Sequence, residues 1–462
     1  MDLLRDSSLG QLVRFVTGNR CLLYPEERAD FTYPYTNEKC RDDSVSSGLV
    51  LGPHERSATL ASRAEPSQRF TLQAGQGDGE ARLAQDITLV DWYDEIDAQN
   101  PQNWSSSKKS IVTAVLWLYT FTVYCASAIY TPSVEGVMDE FGVNHSLATL
   151  GLSLYVLGYG VGPLIFSPIS EIPRIGRNVP YILTLFLFVV MAIPTILTQS
   201  FSGFLVLRFL TGFLGSPCLA TGGATLQDMY SPLKLPYGYT AWVGATFCAP
   251  ALGPVISAFA VSGGDWRLSL WEILWMAILT FVVMFVAFPE TSAATILLRR
   301  AQRIRKRLHD QRYICQFEKD EANLFPRQIV ANALIRPLQI TILDPAVFFT
   351  NFYSSYSYSV YYSFFEAFPL VYTDMYGFNL GLTGTAFLSI VIACLVGTLL
   401  YLIYVYWYLV QLYPLVISSQ APFTWTNTIV NTEQRSLKSQ NTGLALRRSV
   451  SSRRYLLRSC NL

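Results

Sequence analysis

Arg208 places a guanidinium inside the apolar run GFLVLRFLTGFLGSPCLATGGA. On membrane-insertion scales an arginine costs about 2.5–3.5 kcal/mol at a helix centre, and somewhat less near an end. A carboxylate, backbone carbonyls or a water-filled cavity must offset that cost, or the side chain snorkels to the interface. Glu366, in YSVYYSFFEAFP, is the only carboxylate well inside the last two apolar stretches. Such a group takes up a proton, pairs with a cation or contacts a ligand, unless it lies at the outer interface. Asn351, Tyr358, Tyr361 and Tyr362 share its stretch, and tyrosines offer flat apolar area with a hydroxyl, suited to aromatic or amphipathic small molecules.

Two further groups concern movement more than binding. In GPLIFSPISEIPRIGRN, Gly176 permits a tight turn between helices, and Glu171 and Arg177 place opposite charges at helix ends. With Asp228 at the end of a later helix, Glu171 and Arg177 are expected to form one ion-pair cluster that latches a conformational state; the plain alternative is an ordinary solvated loop. In AWVGATFCAPALGPVISAFA, Pro250 and Pro254 remove two backbone donors and Gly253 thins the helix. That combination allows a bend that rearranges between states, or a kink that is purely architectural.

Catalytic and metal chemistry find no support. His54, His145 and His309 lie outside the apolar stretches, and no nucleophile–base or phosphate-cradling pattern is present. The eight cysteines show no CxxC or Cys/His ligand spacing, so neither zinc nor a disulfide framework is expected. A net charge of +1 gives no bulk attraction to nucleic acid.

Eight apolar stretches position these residues, at 110–131, 146–168, 179–199, 203–226, 238–261, 271–288, 345–371 and 382–406. Each approaches the roughly 20 residues that cross a ~30 Å hydrocarbon layer. Lys108, Lys109, Arg174, Arg177, Lys234 and the Arg299–Arg307 cluster fall on one side of them. Glu135, Asp139, Glu140, Asp265 and Asp374 fall on the other. Basic residues stay inside, so the N-terminus and the central loop are expected in the cytoplasm. The fold class is an all-α membrane protein. Residues 1–107 read as a largely disordered cytoplasmic region, with Arg41–Asp86 as linker. Within it Leu3, Leu4, Leu9, Leu12, Val13 and Val16 lie near helical spacing, giving a short membrane-surface helix or a chance cluster in a tail. Residues 108–290 form a six-span unit, 291–341 a basic loop, 342–408 two further spans and 409–462 a basic tail. Six spans, a long loop and a seventh span is the plan of transporters built from two six-helix halves.

The segments VDWYDEIDAQNPQNWSSSKK, YTPSVEGVMDEFG, LGYGVGPLIFSPISE, RFLTGFLGSPCLATGGA, FPETSAATILLRRAQRIRK, RPLQITILDP and YSFFEAFPLVY resemble fungal multidrug exporters. The likeness is to the benomyl/fluconazole-resistance type: twelve-span drug:proton antiporters of the major facilitator superfamily. It covers roughly residues 1–408. It implies the major facilitator fold, with Glu171, Gly176 and Arg177 in the loop between spans two and three. Arg208 matches the family's buried arginine of span four, associated with proton coupling. Pro250, Gly253 and Pro254 match the antiporter motif of span five, where Ala249 replaces the usual glycine. It further implies proton-coupled efflux of small hydrophobic or amphipathic compounds, a proton gradient in place of a cofactor, and a monomer in the plasma membrane. After about Tyr408 the likeness ends and four expected spans are missing. The alternative expectation is therefore a truncated, transport-inactive product of an exporter gene, from a pseudogene or a mis-predicted gene model.

Overall fold

The computed structural model describes residues 2–28, 31, 88–321, 335 and 339–410. The expected linker, the basic tail from 411 onward and part of the central loop lie outside the described residues. Seven helical segments among the described residues are long and apolar enough to cross a membrane: Ser106–Phe141, His145–Glu171, Asn178–Leu197, Phe201–Met229, Leu235–Ser262, Leu268–Ala287 and Leu380–Tyr408. They are called the first to the sixth span and the eighth. Between the sixth and the eighth lies the helix Pro345–Phe368, extended by a wider π-helical turn over Pro369–Met375. Its 24 residues reach about 36 Å at ~1.5 Å per residue, enough for a crossing. Five serines with Asn351 and Glu366 dilute its apolar character, which is why it does not stand with the other seven. Its many exposed aromatics include Phe349, Phe352 and Tyr356.

Polar caps fix where these helices begin. The side chains of Ser105, Asn144, Ser200, Asp344 and Asn379 each accept a hydrogen bond from a backbone N–H of the first turn beyond them. A helix start leaves four N–H groups unpaired, so such caps specify boundaries that hydropathy alone blurs. Small residues then set the approach. A Cβ on Gly158 would strike the Phe209 carbonyl, and one on Gly212 the Tyr155 carbonyl, so the second and fourth spans pack backbone to backbone. Around the bundle the second span packs on the fourth, the fourth on the third, the third on the sixth, the sixth on the first and the first on the fifth. The start of the eighth span, Leu380–Ala386, packs on the fifth, where a Cβ on Gly384 would meet Ala258 Cβ at 2.6 Å.

Among the described residues of the N-terminal region, the expected short helix over residues 3–16 is present as two helical segments. Asp2–Asp6 and Ser8–Val16 are helices, and β1 (Thr88–Leu89) pairs in parallel with β2 (Tyr313–Ile314), Thr88 opposite Tyr313. Both segments close on the helix Ala293–Leu308, the start of the central loop. Arg300 is the centre of this clasp and is fully buried. Its guanidinium reaches Asp97 Oδ2 at 2.7 Å and Glu26 Oε1 at 3.2 Å and lies over the Tyr93 ring at 4.1 Å. Arg14 pairs with both oxygens of Glu27 at 2.6 and 2.9 Å. Burial tends to raise the Glu27 and Asp97 carboxyls, but donors more than offset it. Arg14 and the Tyr24 N–H hold Glu27 below the usual carboxylate range, and Arg300 with the N–H groups of Gln99 and Tyr93 does so for Asp97. An apolar cluster of Val90, Leu298, Ala301, Ile304 and Cys315 fills the space beneath β1 and β2.

Candidate functional site

Arg208 projects from the helix Phe201–Gly215 into the bundle and is 2% exposed. No carboxylate meets it among the described residues. Its Nε donates to Gly151 O at 3.1 Å, and Nη1 and Nη2 donate to Ala126 O at 3.3 and 3.4 Å. The guanidinium lies between two aromatic faces, 4.9 Å from the Tyr130 ring centroid and 4.8 Å from that of Tyr155. Each ring is held by its own hydroxyl, Tyr130 donating to Ala148 O at 2.8 Å and Tyr155 to Val123 O at 2.9 Å. Of the possibilities open in the sequence, backbone carbonyls are therefore what offsets this charge, with cation–π attraction added. Carbonyls of two other spans converge on one side chain, so Arg208 ties the first, second and fourth spans together.

One helix face away lies a seam of hydroxyls and rings. Tyr362 hydrogen-bonds Tyr159 at 2.8 Å and Ser127 at 3.0 Å, joining the helix Pro345–Phe368 to the second and first spans. Tyr358 stacks on Phe247 of the fifth span with centroids 5.5 Å apart, and Tyr361 meets the same ring edge-on. The Tyr361 hydroxyl donates to Phe247 O at 2.8 Å, in the turn before Pro250. Tyr124 sits beside Tyr159, their rings 5.6 Å apart. Three of the expected ligand-facing tyrosines thus meet at one place, but Asn351, two turns earlier, is exposed and takes no part. Tyr124, Ser127, Tyr159 and Phe247 escaped the sequence reading. Within long apolar runs a tyrosine carries no mark of which face it occupies.

Glu366 lies one turn beyond Tyr362, half-exposed, with Oε2 3.7 Å from His145 Nε2. It borders a cavity of about 340 Å³ floored by the buried rings of Phe365 and Phe387. Glu135 and Asp374 also line that cavity, with Pro254 and Gly384. Pro250 and Pro254 are both buried inside the continuous helix Leu235–Ser262. Gly253 faces the first span, where a Cβ would stand 2.8 Å from Ile129 N. At this motif the first and fifth spans therefore approach backbone to backbone.

At the basic end of the bundle the expected ion-pair cluster is smaller than its sequence suggests. Arg177 Nε reaches Asp228 Oδ2 at 2.6 Å, while Glu171 stands exposed beside them as a second negative charge and joins no ion pair among the described residues. The residue missed is Glu290. Its buried carboxylate accepts from the backbone N–H groups of Arg177, Asn178, Thr291 and Ser292 at 3.0–3.3 Å. It therefore locks the turn between the second and third spans to the end of the sixth. Gly176 adopts φ +78°, and a Cβ there would run into the Glu290 carboxylate. A lone carboxylate directly after an apolar span, in FPETS, was the signal available.

Residues 116–431 match the profile of the Major Facilitator Superfamily. The chain is 41% identical over 308 residues to Fluconazole resistance protein 1 of Saccharomyces cerevisiae, covering 67% of this chain and 56% of that one. It is 34% identical over 409 residues to Cycloheximide resistance protein of Candida maltosa, covering 87% and 72%. An MFS-type transporter of Aspergillus violaceofuscus, pyvG, is 39% identical over 402 residues, covering 87% and 71%. The chain thus spans little more than half the length of the yeast relative it matches. With its family profile and its membrane-length helices together, this multi-pass membrane protein belongs to the Major Facilitator Superfamily.

Proposed function

We propose that the chain exports small hydrophobic or amphipathic compounds across the plasma membrane, coupled to proton entry, by alternating access. Its N-terminus and central loop face the cytoplasm in this reading. The observation that carries it is the aromatic seam between the six-span unit and Pro345–Phe368, where Tyr358, Tyr361 and Tyr362 meet Tyr159 and Phe247. Flat rings with hydroxyls bind varied apolar molecules without demanding one hydrogen-bond pattern, which suits a broad substrate range. The names of the yeast and Candida maltosa relatives, which specify resistance to fluconazole and cycloheximide, agree with such substrates.

Each group then has a role. Parting of the seam breaks the Tyr159–Tyr362 contact and opens a path between the helices. Glu366, at the mouth of the neighbouring cavity, exchanges the proton with the outer solution. Arg208, a fixed cation in a low-dielectric setting, disfavours other positive charge nearby and so links proton and substrate occupancy. The Arg177–Asp228 pair holds the basic end shut in one state and breaks in the other. The fifth-span prolines supply the bend. In an efflux-deficient yeast expressing the chain at its surface, steady-state accumulation of a fluorescent azole is expected to fall. Unchanged accumulation, with surface protein demonstrated, would favour the transport-inactive alternative.

A further inference from the structure

The helix Ser8–Val16 is turned the wrong way round for a soluble contact. It buries Gly10 and Arg14 and leaves Phe15 83% and Val16 76% exposed, with Leu12 beside them. Water gives no reason to order a helix with its apolar face outward, whereas a lipid surface does. Its anchors set its depth. Ser8 Oγ bonds Asn178 Oδ1 at 2.8 Å at the start of the third span, Ser7 bridges Pro289 after the sixth, and Asp6 pairs with Lys108 at the start of the first. The helix therefore lies level with the ends of three spans, the level of lipid headgroups.

Directly behind it is a groove of about 500 Å³. One wall is the face of Ala293–Leu308 that carries Arg299, Arg303, Lys306 and Arg307, spaced so that all four fall on one side of the helix. Arg14 and Glu27 contribute from the other wall, already paired with each other. Arg303 is 3.5 Å from Glu26, and Arg299 is 3.9 Å from Glu290. Lys306 and Arg307 are exposed and have no acidic partner among the described residues. Five cations face three carboxylates, Glu26, Glu27 and Glu290, and the two charges left over, on Lys306 and Arg307, exceed what a singly charged phosphodiester neutralises. A phosphomonoester adds about −1.5 to −2.

We propose that this groove binds the phosphorylated headgroup of an anionic phospholipid, with Phe15 and Val16 seated among the acyl chains. Lys306 and Arg307 contact the phosphomonoester, and Arg299 and Arg303 face the rest of the headgroup. A bound lipid bridges the N-terminal helix and the central-loop helix, and so strengthens the clasp.

The test titrates the purified full-length protein in neutral detergent with dioctanoyl phosphatidylinositol bisphosphate, followed by calorimetry. Saturable binding is expected, weakening as salt is raised. Phosphatidylcholine of the same chain length should not bind. The Lys306→Gln/Arg307→Gln variant should bind about tenfold or more weakly, since each basic residue near a charged lipid surface adds a comparable increment. Inositol trisphosphate, which has the headgroup and no chains, should bind at least tenfold more weakly than the lipid, and Phe15→Ser/Val16→Ser should close that gap. Unfolding temperatures of the variants without lipid serve as the folding control, and the salt dependence of the unaltered protein stands without any variant. Salt-independent binding, equal binding of phosphatidylcholine, or an unchanged affinity of the charge variant would overturn the proposal. Inositol trisphosphate binding as tightly as the lipid would also overturn it, assigning the groove to a soluble phosphorylated solute.

Discussion

Arg208 takes from two carbonyl oxygens and two ring faces what a carboxylate would otherwise supply. A lysine cannot copy this, because its ammonium is a compact point charge without the planar fork that reaches Gly151 and Ala126 together. Arg208→Lys is expected to lower stability by about 1–3 kcal/mol, the worth of charged hydrogen bonds. It should also reduce drug export by more than tenfold, as read by detergent unfolding and by cellular accumulation. At the opposite end, Gly176→Ala places a Cβ in a left-handed turn and against Glu290. The turn alone costs about 1–2 kcal/mol, so a loss at least that large in the same unfolding assay is expected. The need for compensation at Arg208 was legible from its neighbours in sequence. The partners were not, since carbonyls are common to every residue and only packing decides which ones converge.

All eight spans are legible in the sequence, because hydrocarbon demands long apolar runs, but seven stand out by hydropathy more clearly than the stretch 345–371. The helix Pro345–Phe368 trades that clarity for hydroxyls along the face it turns to Tyr159 and Phe247. The clasp was illegible because its ion pairs join Glu26 and Asp97 to Arg300, far apart in sequence, and no local periodicity encodes such a match. Removing its centre by Arg300→Gln leaves Asp97 buried without its cation and Glu26 with Arg303 alone. A loss of about 3–5 kcal/mol is the usual cost of breaking a buried pair, and it should appear as faster amide exchange across residues 2–28. Acid should act likewise. Glu27 and Asp97 titrate below their ordinary values of 4.5 and 3.8, so their contribution is complete above those values and disappears as pH falls through the lowered ones. The clasp should therefore remain docked at neutral pH and loosen only in strong acid, with protease sensitivity of the N-terminal segment as the readout.

Across the whole molecule, four contacts divide the labour between holding and moving. Glu290 and the clasp fasten the basic end, Arg208 fastens three spans near the other, and the tyrosine seam lies between the six-span unit and Pro345–Phe368. Only the seam is built from contacts that separate without stranding a buried charge, because hydroxyls and rings can exchange partners with a ligand or with water. That is the physical basis for placing substrate passage there. Tyr362→Phe removes the hydroxyl that bridges Ser127 and Tyr159 while keeping the ring, and should shift drug preference with stability changed by less than about 1.5 kcal/mol. The most direct trial uses proteoliposomes holding the purified chain and a fluorescent amphipathic drug, with an imposed pH gradient. Drug movement against its own gradient, driven by protons moving the other way and abolished in Arg208→Ala, is the expected result. Drug flux equal to that of protein-free liposomes, from protein shown to be folded and inserted, would contradict the account.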